Sequence, residues 1–140
     1  MQNSQSVLFL CSMNRLRSPT AETVFSCVPG LSVKSAGLEK DAVQCCTLGD
    51  LLQSDIVFVM EQRHRVMLKK QFGDALRGRQ IINLNIPDKF DRMQPELVGM
   101  LLQKVPPFLS TPVNVEDVRE MLRLNRLGGV AMSLHSHCWR

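Results

Sequence analysis

The sequence lacks several features that would point to whole classes of protein. It has no tyrosine and one tryptophan in 140 residues, and its formal net charge is only +4, so no basic patch interleaved with aromatic side chains is present to bind nucleic acid. No apolar run approaches the roughly 20 residues of a transmembrane helix, and the start MQNSQSVLFLC lacks the basic region of a signal peptide. We therefore expect a cytoplasmic protein without nucleic-acid or membrane partners.

The cysteines do not form the pattern of a disulfide framework. Their number, five, is odd, and Cys45 directly precedes Cys46, whereas small secreted domains pair their cysteines at wider spacings. We expect a reducing compartment in which thiols are available for chemistry. The mild positive charge suits anionic ligands such as phosphate esters.

Predicted strands and helices alternate along the first part of the chain. Short apolar runs predict strands, and amphipathic stretches with capping residues predict the helices between them. The predicted strands are Val7–Leu10, Ser32–Ser35, Ile56–Met60 and Gln80–Leu84. The predicted helices are Thr20–Cys27, a short helix with Thr47 as its cap and Asp50 three residues on, Gln62–Phe72 and Pro95–Val105. This order predicts an α/β fold with three α/β/α layers around a four-stranded parallel sheet, whose ligands bind at the carboxyl ends of the strands.

The character of the chain changes after residue 105. We interpret residues 1–105 as the catalytic domain and residues 106–140 as a C-terminal extension in which Asn114 caps a helix from Val115 to about Asn125. The extension could pack on the domain, be mobile, or join a second copy in a homo-oligomer. Metal binding by His135, His137 and Cys138 is disfavoured because no second ligand cluster completes a tetrahedral site, so no metal and no cofactor is expected.

The segment between the first strand and the first helix has the residues of an anion-binding catalytic loop. It reads Cys11-Ser12-Met13-Asn14-Arg15-Leu16-Arg17-Ser18-Pro19. A loop in this place can aim its backbone N–H groups at a phosphate, and the helix that follows adds its N-terminal N–H groups. Arg17 offers a planar fork for two phosphate oxygens, and the positive field favours the Cys11 thiolate as nucleophile.

Two further side chains of this loop have predicted roles. Ser18 can donate a hydrogen bond to the sulfur of Cys11 and help it leave, and Asn14 tolerates the left-handed backbone that a curled loop needs. The competing interpretation is a structural cysteine at the end of a strand. Placement of the motif between a strand and a helix favours the catalytic interpretation.

Three segments resemble the low-molecular-weight protein tyrosine phosphatases. They are VLFLCSMNRLRSPTAE at the loop, Ser35-Ala36-Gly37 after the second strand, and IVFVME from Ile56 to Glu61. The resemblance covers residues 7 to about 105. It implies a flavodoxin-like fold with a phosphate loop after the first strand, in which Ser12, Met13, Asn14, Arg15, Leu16 and Ser18 bind substrate together with Cys11 and Arg17.

The resemblance also implies a general acid after the fourth strand, where the chain reads Ile86-Pro87-Asp88-Lys89-Phe90-Asp91. Asp88 is the first choice and Asp91 its competitor, and Phe90 is the predicted aromatic partner of the substrate. The implied reaction is hydrolysis of a phosphomonoester, on a phosphorylated protein or a small molecule, through a cysteinyl-phosphate intermediate. The chain departs from the family at Leu16, which replaces a second cysteine, and at the charged Arg15, which could meet acidic substrate groups.

Three other functions remain open. Cys45 or Cys46 could resolve an oxidised Cys11 in a thiol-coupled arsenate reductase, although arsenate reduction has no use for Asp88. A cysteine–histidine hydrolase using Cys11 and His64 would leave Arg17 unexplained, and the run Arg63 to Arg65 is interpreted as a solvated basic face. A phosphate-binding or phosphoprotein-binding module without turnover would need neither a nucleophile nor an acid.

Overall fold

A computed structural model describes residues 4–127, and its strands and helices alternate as the sequence predicts. The boundaries differ from the predicted ones by one to three residues in most elements, and the third helix agrees at both ends. The elements are β1 Gln5–Cys11, α1 Arg17–Phe25, β2 Leu31–Gly37, α2 Leu48–Gln53, β3 Ile56–Val59, α3 Gln62–Phe72, β4 Gln80–Asn83, α4 Pro95–Lys104 and α5 Val115–Leu127, with short 3-10 helices at Gly73–Leu76 and Pro106–Phe108.

The four strands form one parallel sheet in the order β2-β1-β3-β4. The chain first steps from β1 outward to β2 and then crosses back to place β3 on the other side of β1. This reversal puts the carboxyl end of β1 at the point where the connections diverge, which is where open α/β sheets bind ligands. Cys11 is the last residue of β1 and therefore stands at that point.

Side chains of β1 alternate between two cores, one on each face of the sheet. Val7, Phe9 and Cys11 face the core that α1, α4 and α5 cover, whereas Leu8 and Leu10 face the core covered by α2 and α3. Strands buried on both faces read as continuous apolar runs. The three layers and the flavodoxin-like strand order confirm the predicted fold class.

The helix of the C-terminal extension packs on the same body. Val118 and Leu122 of α5 are buried in the core that also contains residues of α1 and α4. Asn114 caps α5, its side-chain oxygen accepting a hydrogen bond from the N–H of Asp117 at 3.0 Å. Homo-oligomer formation through the extension and the division at residue 105 stay predictions, and the candidate metal ligands at 135–138 lie outside the described residues.

Helix α2 begins with the capping box that the sequence predicts. The side chain of Thr47 accepts from the N–H of Asp50, and the carboxylate of Asp50 accepts from the N–H of Thr47. No helix within residues 4–127 is long and apolar enough to cross a bilayer.

Candidate active site

The loop after β1 turns its carbonyl groups toward the segment that follows β2. The carbonyl oxygen of Ser12 accepts hydrogen bonds from the N–H groups of Leu38 and Glu39, and the carbonyl oxygen of Met13 accepts one from Val43. The N–H and C=O of a trans peptide unit point in opposite directions. The N–H groups of these loop peptides therefore point away from that segment, as an anion nest requires.

Asn14 adopts the backbone conformation that lets the loop curl. Its φ is 57°, which is the left-handed region that few side chains adopt and that asparagine tolerates, as the sequence predicts. Its amide nitrogen donates to the hydroxyl oxygens of Ser18 at 2.9 Å and of Ser35 at 3.0 Å. Asn14 thereby fixes the backbone of the loop and also ties the loop to α1 and β2.

Gly37 makes room for the back of the loop. A Cβ at this position would lie 2.5 Å from the Cβ of Ala42, 2.7 Å from the carbonyl oxygen of Ser12 and 3.0 Å from the backbone nitrogen of Asn14. Two of these three neighbours are backbone atoms, which cannot shift without moving the loop. The end of β2 therefore has no space for any side chain.

The sulfur of Cys11 has one hydrogen-bond contact among the described residues. It lies 2.9 Å from the hydroxyl oxygen of Ser18, which already accepts from the Asn14 amide. The Ser18 hydroxyl can donate to the sulfur at 2.9 Å or to the carbonyl oxygen of Ala36 at 3.4 Å, and the sulfur is the nearer acceptor. The same amide group connects to Ser35, whose hydroxyl donates to the carboxylate of Glu22. Burial raises the pKa of Glu22, although the bond from Ser35 opposes that shift.

Arg17 is held in place by the ends of β3 and β4. Its side chain is 2% exposed, and its Nη1 atom donates to the carboxylate of Glu61 and, at 2.8 Å, to the carbonyl oxygen of Ile86. Both hydrogens of Nη1 are then used. The Nε–H and Nη2 groups remain as a fork with the geometry that pairs two oxygens of a phosphate.

Glu61 joins Arg17 to the start of α3. Burial by itself would raise the pKa of Glu61, but hydrogen bonds from Arg63 and Arg17 outweigh it and hold that pKa below its ordinary value. Glu61 is therefore an anion at neutral pH. From the sequence, Glu61 is identified only as the last residue of a segment that resembles the family, because its partner Arg17 lies 44 residues away.

His64, in the first turn of α3, is fully buried and contacts the loop. Its Nε2 lies 2.9 Å from the hydroxyl oxygen of Ser12, and its Nδ1 accepts the N–H of Glu61 at 3.1 Å. Burial, reinforced by the charges of Arg17 and Arg63, lowers its pKa to about 4. The interpretation of the run Arg63 to Arg65 as a solvated basic face is therefore wrong for His64. The histidine also bonds to Ser12 and not to Cys11, which does not favour a cysteine–histidine hydrolase.

A cavity of about 120 Å³ opens over the loop. It is lined by Cys11, Ser12, Met13, Arg15, Leu16, Arg17 and Asp88. Asp88 is 56% exposed, and its Oδ1 lies 3.8 Å from the Nε of Arg17. Larger cavities of about 300 and 350 Å³ lie elsewhere and contain no residue of the loop.

Two of the predicted site residues, Asp91 and Phe90, do not line the cavity. The backbone N–H of Asp91, the competitor of Asp88, is bound by the side chain of Gln94. Phe90 is only 8% exposed and belongs to the core on the α1 side of the sheet. Its ring is therefore packed as a core side chain and does not wall the cavity. Nothing in the local sequence distinguished these two uses of an aromatic residue.

Neither Cys45 nor Cys46 is a suitable partner for Cys11, Cys45 because of its distance and Cys46 because of its pKa. Cys11 pairs with Gly37 in the sheet, and Gly37 forms a bridge with Cys45 on its other side. Cys11 and Cys45 are thus two strand spacings apart, about 10 Å, whereas a disulfide needs Cα atoms within about 7 Å. Burial and the nearby Asp50 raise the pKa of Cys46 to about 12, so it is a poor nucleophile.

No protein-family model and no curated protein sequence matches the chain. Solved structures do match it. The tyrosine phosphatase Wzb from Escherichia coli K30 in complex with phosphate has a TM-score of 0.57 and 19% identity over 91% of this chain and 100% of that chain. For the YwlE arginine phosphatase from Geobacillus stearothermophilus the values are 0.54 and 18% over 88% and 96%.

A third structure has a comparable likeness. SP-PTP, the low molecular weight protein tyrosine phosphatase from Streptococcus pyogenes, has a TM-score of 0.55 and 17% identity over 94% of this chain and 98% of that chain. All three proteins are matched along nearly their whole length. The chain therefore has the fold of the low-molecular-weight protein tyrosine phosphatases, which is the fold that the resemblance implied.

Proposed function

We propose that the protein is a cysteine-dependent phosphomonoester hydrolase. The observation that carries the proposal is the group formed by Cys11, Ser18, Arg17 and Asp88: a sulfur beside a hydroxyl donor, a clamped guanidinium and a carboxylate, all at one small cavity or directly behind it. A nucleophile, an oxyanion stabiliser and an acid are the parts that phosphoryl transfer through a covalent intermediate needs.

The reaction follows from these positions. The Cys11 thiolate attacks phosphorus, so that an S–P bond forms while the bond to the leaving oxygen breaks. Asp88 donates its proton to that oxygen. Water then attacks the cysteinyl phosphate, Asp88 takes a proton from the water, and the S–P bond breaks with Ser18 stabilising the departing thiolate. Arg17 and the loop N–H groups hold the equatorial oxygens throughout.

The cavity also bears on the substrate. No aromatic side chain of the described residues lines it, since Phe90 is buried, and the exposed residue Arg15 is part of the lining. Within residues 4–127 Arg15 has no ion-pair partner, so it can meet an anion. We therefore favour a phosphoprotein, including one with phosphotyrosine, or a small phosphomonoester whose surroundings are acidic. A phosphorylated guanidinium, the group implied by an arginine phosphatase, would place two cations together.

The first experiment measures hydrolysis of para-nitrophenyl phosphate without added metal. Cys11→Ser should abolish turnover, Asp88→Asn should lower kcat by about 100-fold or more, and the control Asp91→Asn should stay near wild type. Phosphotyrosine, phosphoserine and phosphoarginine peptides, each with acidic or neutral neighbours, then rank the substrates. Full activity in Cys11→Ser would overturn the mechanism.

The same variants separate hydrolysis from binding alone. If the reduced wild-type chain binds inorganic phosphate but turns over none of these substrates, the module without turnover is the correct function. Arsenate reduction is the less favoured alternative, because the two candidate resolving thiols are distant from Cys11 or held protonated. Measured arsenate turnover that survives Cys45→Ser combined with Cys46→Ser would require a different reductant.

A further inference from the structure

The ring of His64 has a fixed tautomer because of its two partners. The backbone N–H of Glu61 can only donate, so the Nδ1 atom that it contacts at 3.1 Å must be an acceptor. With its pKa lowered to about 4, the ring is neutral at physiological pH and carries its one proton on Nε2. The Nε2–H group therefore donates to the hydroxyl oxygen of Ser12, 2.9 Å away.

This bond leaves the Ser12 hydroxyl with a proton to donate. Within residues 4–127 no carbonyl or carboxylate is found to accept from the oxygen of Ser12, whose one hydrogen-bond contact is His64. Ser12 follows the nucleophile directly and lines the cavity. A phosphoryl oxygen bound in the cavity is thus the acceptor that this hydroxyl lacks.

We propose that His64 is a positioning residue that makes Ser12 a hydrogen-bond donor to the bound phosphoryl group. The inference rests on the proposed function, since it assigns one more group to the same site. A neutral imidazole that donates to Ser12 leaves the hydroxyl free to point at the anion. A group that accepts from Ser12 would instead turn the hydroxyl away from the anion and present a bare oxygen to it.

Two substitutions at position 64 separate this role from simple helix capping. His64 occupies the third position of α3, where glutamine and glutamate can both accept the N–H of the capping residue. Only glutamine also has an N–H to give to Ser12, whereas a glutamate carboxylate must accept from it. His64→Gln and His64→Glu are therefore matched in size and capping and opposite in what they do to the Ser12 hydroxyl.

The experiment measures the affinity for inorganic phosphate by calorimetry and kcat/KM for para-nitrophenyl phosphate in both variants. We expect His64→Gln to stay within about threefold of wild type and His64→Glu to lose about 10- to 100-fold in both quantities, the usual effect of a hydrogen bond to a charged group. In the Ser12→Ala background the difference between the two variants should shrink to the part that comes from the added charge of the glutamate. Equal phosphate affinities of the His64→Gln and His64→Glu variants with Ser12 intact would overturn the proposal.

Two further measurements allow the role of His64 to be tested even if one variant does not fold or the chain does not hydrolyse phosphate esters. Because a buried carboxylate at position 64 could unfold the chain, Ser12→Ala alone is compared with wild type, and unchanged phosphate affinity in this variant also overturns the proposal. Phosphate binding does not need turnover. A chain that binds phosphate with the expected order of affinities but hydrolyses nothing would therefore reject the proposed function and retain the role of His64.

Discussion

The sulfur of Cys11 and the hydroxyl oxygen of Ser18 lie 2.9 Å apart, and the Asn14 amide occupies the acceptor side of the same hydroxyl. The proton of Ser18 then has two acceptors, the sulfur and, at the longer distance of 3.4 Å, the carbonyl oxygen of Ala36, and a thiolate is the stronger of the two. A hydroxyl in this position stabilises negative charge on sulfur, which develops when the cysteinyl phosphate is hydrolysed.

Ser18→Ala should therefore slow the second step more than the first. We expect kcat to fall about 10- to 100-fold, since a hydrogen bond to a charged group is lost, and the phosphoenzyme to accumulate in rapid-quench mass spectrometry. Ser26→Ala is the control, because that buried hydroxyl bonds to the carbonyl oxygen of Glu22 and not to the loop. A Ser18→Ala enzyme without any accumulated intermediate would contradict the assignment.

Substitutions of Asn14 should separate its backbone role from its amide. Asn14→Gly keeps the left-handed conformation and removes the two hydrogen bonds, whereas Asn14→Ala removes the bonds and adds a penalty of about 1 kcal/mol or more for the positive φ. Urea unfolding should show alanine as the less stable of the two. Equal free energies of unfolding would mean that the loop adopts another conformation in solution.

Removing the charge of Glu61 should loosen Arg17. In Glu61→Gln the amide can still accept one bond, but the guanidinium loses the closer of its two ionic partners, Glu61 and Asp88, in a site where Arg17 is almost completely buried. We expect phosphate affinity to fall about tenfold or more, measured by calorimetry. Asp74→Asn is the control: it breaks an exposed ion pair with Arg77, which contributes little.

His64 predicts how stability depends on pH. Its pKa is about 4 in the folded chain against an ordinary value of 6.5, so between these pH values the unfolded chain binds the additional proton. Protonation of His64 therefore lowers the free energy of unfolding as pH drops from 6.5 toward 4, by up to about 3 kcal/mol. In His64→Gln the urea midpoint should therefore depend less on pH over this range. If the midpoint depends on pH as strongly as in wild type, His64 already binds a proton in the folded state and the prediction is wrong.

The sequence predicts those parts of the site that depend on neighbours along the chain. The left-handed Asn14, the Thr47–Asp50 capping box and the bounds of α3 all follow from local chemistry, and each is confirmed. The apolar runs also determine the layers, because strands buried on both faces leave few other arrangements.

Contacts between distant segments could not be predicted in this way. The pairing of Glu61 with Arg17 and of His64 with Ser12 joins residues 44 and 52 positions apart, and a histidine between two arginines resembles a solvated face until the fold buries it. The same holds for Phe90, whose ring could stack on a substrate or fill the core. Its neighbours in sequence are equally compatible with both, and only the packing of α1 and α4 decides.

Because Gly37 has no side chain, the loop after β1 and the end of β2 lie in direct backbone contact and must move together. The backbone of the loop and the backbone at the end of β2 touch where a Cβ would stand, and the hydrogen bonds of residues 38–43 hold them there. Neither stretch can relax without the other. Residues 38–43 supply no chemical group to the reaction, but a change in their backbone should displace the whole anion nest. Substitutions in this segment should therefore alter activity although the catalytic side chains stay the same.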